Sequence, residues 1–99
     1  MTRIKKLADE INDELDSAKE YAEEALTYKA KGNGEWYSRY KTMSEQELGH
    51  ASILHDRVVS EIDQLKNVMT PPEDMMQKWE HEHKAYIEKA AWIKQMLAM

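Results

Sequence analysis

Ninety-nine residues with a net charge of −5, 33% charged side chains and a mean hydropathy of −0.84 set the size of one small domain. No apolar run approaches the ~20 residues of a membrane span, no leader pattern opens the chain, and an acidic balance without a basic stripe argues against nucleic-acid binding; the expectation is a soluble, cytoplasmic protein. Cysteine is absent, which excludes disulfides, thiolate zinc sites and iron–sulfur clusters.

The first periodic segment covers about residues 3–31. Its apolar stripe runs Ile4, Leu7, Ile11, Glu14, Ala18, Tyr21, Ala25, Tyr28 at helical spacing. Gly32-Asn33-Gly34 then signals a tight turn. A second helix is expected over about 35–69, with Tyr40, Met43, Glu47, His50 or Ala51, Leu54, Val58, Ile62 and Leu65 facing inward. Thr70-Pro71-Pro72-Glu73 breaks it, and Thr70 with Glu73 has the spacing of a capping box. The third helix is expected over about 73–98, with the stripe Met76, Trp79, His83, Tyr86, Ala90, Ile93, Leu97. Strand patterns are missing. Phe is absent, so seven Met, three Trp and five Tyr supply the bulk of an adaptable core.

The fold class is therefore all-α. Short connections make antiparallel neighbours, giving a helical hairpin plus a third helix. The second helix would be roughly 50 Å long at 1.5 Å per residue. A helix of that length in so small a domain calls for company, and we expect a homodimer or larger homo-oligomer that completes a four-helix bundle.

Two stripes contain ionisable residues where apolar ones belong. Glu14 interrupts the first, and Glu47 and His50 interrupt the second. A lone buried carboxylate costs several kcal/mol unless it is paired, protonated or metal-bound. Measured from the glycine turn, Glu14 lies roughly 27 Å back, Glu47 roughly 20 Å forward and His50 roughly 24 Å forward. The three share one level on facing helices, and Glu47 and His50, at i and i+3, project from one side. One Glu from one helix and Glu-x-x-His from the next is half of a dinuclear carboxylate site, which a two-fold dimer would complete. Such donors suit iron(II), manganese(II) or zinc(II). The plainer reading is a buried, hydrogen-bonded polar cluster that fixes helix register. The molecule would then be a non-catalytic helical interaction or assembly protein.

A second Glu-x-x-His occurs at Glu80 and His83. Glu80 lies about 13 Å along the third helix from the proline turn, whereas Glu47 lies about 35 Å back along the second. Within one chain the two pairs cannot meet. Glu80 and His83 read as a helix-surface polar cluster, with a role as further metal ligands in a dimer as the alternative. His55 reads as a stripe-edge residue and His81 as exposed.

The spacing of these residues resembles the ferritin-like di-iron carboxylate proteins, the helical domain of rubrerythrins most closely. Tyr21, Gly32 and Glu47-Leu48-Gly49-His50-Ala51 follow Glu14 by seven, eighteen and thirty-three residues, as the corresponding features do in that family. The resemblance covers roughly residues 7–55. It implies Glu14 as a first-helix ligand, Glu47 as a bridging ligand, His50 as a terminal ligand and Tyr21 as a hydrogen-bonding neighbour of the metals. It also implies oxidation of iron(II) by O₂ or peroxide, an oxidoreductase activity of the ferroxidase kind. The second half departs from the rubrerythrin pattern: a short proline turn and one final helix replace the long crossover and the second helix pair. Encapsulated ferritins resemble the chain in this respect, being short chains of which two build one di-iron site. The implied cofactor is two irons per dimer.

Overall fold

The glycine turn is built by backbone hydrogen bonds that finish one helix and start the next. The computed structural model describes residues 2–99, and side chains from Arg3 onward. Helix α1 spans Thr2–Ala30, α2 spans Gly34–Lys66 and α3 spans Glu73–Leu97. Beyond α1, Gly32 adopts φ +73°, the left-handed conformation that glycine tolerates. Its N–H donates to the Lys29 carbonyl at 3.0 Å, and the Asn33 N–H donates to the Tyr28 carbonyl at 3.0 Å. These two bonds form a Schellman motif, which satisfies carbonyls that the helix end leaves free. Asn33 then caps α2, its side-chain oxygen accepting from the Trp36 N–H at 3.3 Å.

The second connection differs from its expected form. Helix α2 stops at Lys66, three residues short of the predicted end, and Asn67, Val68 and Met69 close it with turn hydrogen bonds. Val68 is 81% exposed, so extending the helix there would bury little. Thr70 does not cap α3 either. The N-cap is Pro72, at φ −56° and ψ 138°, with no side-chain hydrogen bond. The reason is steric: a residue before proline is pushed out of the helical region, so Pro71 cannot begin a helix ahead of Pro72. Glu73 and Asp74 fill the first turn, where negative charge complements the helix dipole.

The chain runs up, down and up, as expected. Asn12 donates to Glu82 at 3.1 Å, Lys89 bonds Asp16, and Lys29 bonds the Met99 carbonyl, so α3 runs parallel to α1. Helix α1 packs intimately on α2, and α3 lies along α1 with a lighter hold on α2. The result is a rod of 55 × 18 × 17 Å. Among the described residues there is no strand, and no helix is long and apolar enough to cross a membrane.

The core stripe of α1 is Ile4, Leu7, Ile11, Leu15, Ala18, Ala22 and Ala25, joined by Ala51, Val58 and Ile62 of α2 and by Trp79, Ala90, Ile93, Met96 and Leu97 of α3. Alanines at 18, 22, 25 and 51 leave little side-chain bulk between the two hairpin helices. Fully buried Ser44 bridges them, its hydroxyl donating to the Ala18 carbonyl at 2.6 Å. The expected stripes were one position off in three places, of which Ala22 in the place of Tyr21 is one. Leu15, not Glu14, fills the core slot, and Ser44, not Met43, lies inside. Helix α3 explains the rotation, because it draws the core of α1 toward its own side and moves Glu14 to the rim.

Candidate metal centre

Glu14 projects from the middle of α1, and Glu47 and His50 project from successive turns of α2. Buried Leu15, Ala18 and Ala51 lie beside them on the same two helices. The His50 Nδ1 is 3.6 Å from Oε2 of Glu14 and 3.8 Å from Oε2 of Glu47. One ligating atom from each residue falls within 4.8 Å of the others. Among the described residues, no other three His, Asp or Glu side chains converge in this way. The sequence expectation that these three share a level and a side is met.

Their burial is not. The side chains of Glu14 and Glu47 are 30% and 23% exposed and that of His50 is 58% exposed. They form the rim of an open flank of the hairpin. Asn12 and Asp16, which reach α3, are each two residues from Glu14, or about 160° around the helix at 3.6 residues per turn. The flank bearing Glu14, Glu47 and His50 is therefore turned away from α3. Two carboxylates and an imidazole nitrogen converging there attract a cation.

An aromatic cluster continues this flank toward the turn. Tyr28 stacks on Tyr40 with centroids 5.6 Å apart and planes 7° apart, and Trp36 and Tyr21 lean on Tyr40 at 6.1 Å each. Tyr21 is half-buried two turns beyond Glu14. Arg39 sits over the Trp36 ring at 5.2 Å and Lys31 over Tyr28 at 5.4 Å, both cation–π distances. At the far end, Arg3 and Arg57 both donate to Oε1 of Glu61 at 2.9 Å. The Arg57 bond, with help from Arg3, holds the Glu61 carboxyl below the usual range.

The second Glu-x-x-His does not act as a pair. Glu80 is exposed, and His83 faces His55 instead. His55 Nε2 and His83 Nδ1 are 2.6 Å apart. His55 stacks on Tyr86 at 4.6 Å and 18°, and its centroid is 5.3 Å from that of Trp79. Its side chain is only 14% exposed, with Oδ1 of Asp56 4.0 Å from its Nδ1. Burial pushes the His55 imidazole below its ordinary value, His83 adds to that, and Asp56 opposes both. His81 is exposed, as expected. A signal for the His55–His83 contact was present: His55 is eleven residues before Lys66 and His83 ten after Glu73, so equal arms bring them to one level (66 − 55 = 11; 83 − 73 = 10). No family model, no curated protein and no solved structure matches this chain.

Proposed function

We propose that this chain is half of a ferritin-like bundle. Two copies set their α1–α2 hairpins face to face and hold a dinuclear metal site, iron by preference, between two sets of Glu14, Glu47 and His50. The observation that carries this reading is the convergence of those three donors, within 4.8 Å, on the flank that α3 leaves open. Two carboxylates and one imidazole fit iron(II), with manganese(II) and zinc(II) as competitors. One chain offers three donors, and a two-fold axis through the open flank would double them by isologous contacts.

The same flank carries apolar surface suited to burial by a second copy: Trp36 is 42% exposed and Met43 36%. In the pair, Glu14, Glu47 and His50 of each copy would hold the two ions, the carboxylates offsetting their charge and the imidazole supplying a nitrogen donor. Tyr21 lies further along the flank as a hydrogen-bonding neighbour. Bound iron(II) supplies electrons to O₂ or peroxide, which makes the activity ferroxidase-like.

A second reading has one observation in its favour. Among the described residues, no buried side-chain polar atom lacks a hydrogen-bond partner, so nothing in the interior demands a metal. The molecule would then be a helical assembly protein whose His50 pairs with Glu14 and Glu47 to hold the hairpin in register. Anaerobic iron(II) titration, followed by air exposure and ultraviolet absorbance, separates the two. The metal reading expects two irons per dimer and a particle of twice 11.6 kDa by light scattering. A monomer that takes up no iron, manganese or zinc would remove the shared site and leave the assembly reading.

A further inference from the structure

The His55–His83 pair lies on the α2–α3 seam, away from Glu14, Glu47 and His50, and no step proposed above uses it. Its two ring nitrogens point at each other at 2.6 Å. The ring centroids are 4.7 Å apart with planes 30° apart, so the imidazoles meet nearly edge to edge. Tyr86 and Trp79 pack against His55 and fix its plane. The seam carries few other links, since α3 holds α2 lightly.

We propose that His55 and His83 form a separate binding site for one imidazole-preferring divalent cation, copper(II) or zinc(II), which staples α3 to α2. Copper heads the affinity order for nitrogen donors, and imidazole suits both metals. Metal-binding histidines characteristically direct their second ring nitrogen toward a carboxylate or carbonyl, which fixes the tautomer and ring orientation. Here Asp56 Oδ1 stands 4.0 Å from His55 Nδ1, on the side away from His83. That arrangement favours a proton on Nδ1 and leaves the Nε2 lone pair facing His83. Burial disfavours the charged form of His55, which keeps the ring in its ligating state near neutral pH.

The geometry requires one adjustment. Two nitrogens each about 2.0–2.1 Å from a tetrahedral ion stand roughly 3.3–3.4 Å apart. The contact must therefore open by less than an ångström as the two rings tilt to converge their lone pairs on one point, which the light α2–α3 contact permits. His83 shifts its one ring proton from Nδ1 to Nε2 by exchange with solvent, which frees the Nδ1 lone pair and leaves the ring neutral. Water fills the remaining positions, as the 14% exposure of His55 permits.

The experiment uses the full chain with Glu14→Gln, Glu47→Gln and His50→Gln combined, so that the other cluster cannot bind. Copper(II) is added and followed by electron paramagnetic resonance and by isothermal titration. The expected result is one copper per chain, with hyperfine splitting from two imidazole nitrogens. His55→Gln or His83→Gln should weaken binding at least tenfold and lose that two-nitrogen signature, whereas His81→Gln should change neither. A second readout leaves both histidines intact. With Trp36→Tyr and Trp92→Tyr, Trp79 is the sole indole, and its centroid is 5.3 Å from His55 and 5.9 Å from His83. Stoichiometric copper should quench its fluorescence, and zinc should raise the thermal midpoint of the same protein. Binding that follows His81, or no quenching of Trp79 at one equivalent, would reduce the pair to a hydrogen-bonded clasp and overturn the site.

Discussion

His50 and His55 stand five residues apart on α2, yet the first side chain is 58% exposed and the second 14%. Five residues turn a helix by about 140°, which places one histidine on the open flank and the other under α3. Each meets partners on another helix at the same level. On the covered side, aromatic rings and a second imidazole exclude water, and a proton on His55 is disfavoured. On the open side, two carboxylates face the imidazole and solvent still reaches the group. The same residue type thus lies in a dry aromatic seam or in a solvent-reached carboxylate cluster according to whether a third helix lies over it. A second copy of the chain across the open flank would erase that difference, and this is where the comparison can be broken.

The largest effect should come from the open cluster. Glu47→Ala and His50→Ala should each abolish iron binding and iron(II) oxidation, and Glu80→Ala should leave both intact. Iron content after gel filtration and absorbance after air exposure are the readouts. Retained iron in either α2 variant would detach the metal from this flank.

Neighbouring residues on α1 give the next contrast. Leu15 is fully buried, so Leu15→Ala should cost about 2–5 kcal/mol in urea unfolding. Glu14→Leu, one residue away, should leave the metal-free protein unchanged or slightly more stable, because it removes a half-exposed carboxylate and adds apolar area. A loss from Glu14→Leu comparable to that from Leu15→Ala would instead favour the structural pairing of Glu14 with His50.

Ser44→Ala should cost about 1 kcal/mol by the same method, the usual net value of one hydrogen bond. The Ala18 carbonyl that it serves lies inside α1, where the helix offers it a second partner, so no acceptor is stranded.

These contrasts also show what the sequence made legible. Three helices, two turns and the shared level of Glu14, Glu47 and His50 follow from spacing alone, because residue counts from a short turn fix height along antiparallel helices. Azimuth was harder. A heptad stripe fits Glu14, Tyr21 and Tyr28 as well as Leu15 and Ala22, and only the side on which α3 settles decides between them. The failed Thr70 cap came from two adjacent prolines, each restricting the residue before it, and α2 ends early because Val68 finds nothing to bury against. The His55–His83 contact obeyed the equal-arm rule, but Glu-x-x-His spacing drew the pairing of His83 toward Glu80.

The smallest expected effect is on acid stability. His55 has its folded value lowered by burial and by His83. Below its ordinary value of about 6.5, the unfolded chain binds a proton that the folded chain resists. The stabilising contribution is therefore complete above about pH 6.5 and declines as pH falls toward the folded value. Glu61 acts in the same direction at lower pH: its carboxyl is held down by Arg57 and Arg3, so its contribution is present above the ordinary carboxylate range and is lost as pH falls through the folded value. Urea midpoints of the protein in chelator, measured from pH 7.5 to 5, should fall with acid, and His55→Gln should flatten that slope while Glu61→Gln leaves it in place. An unchanged slope in His55→Gln would show that the buried His55 imidazole is not the source of the acid sensitivity.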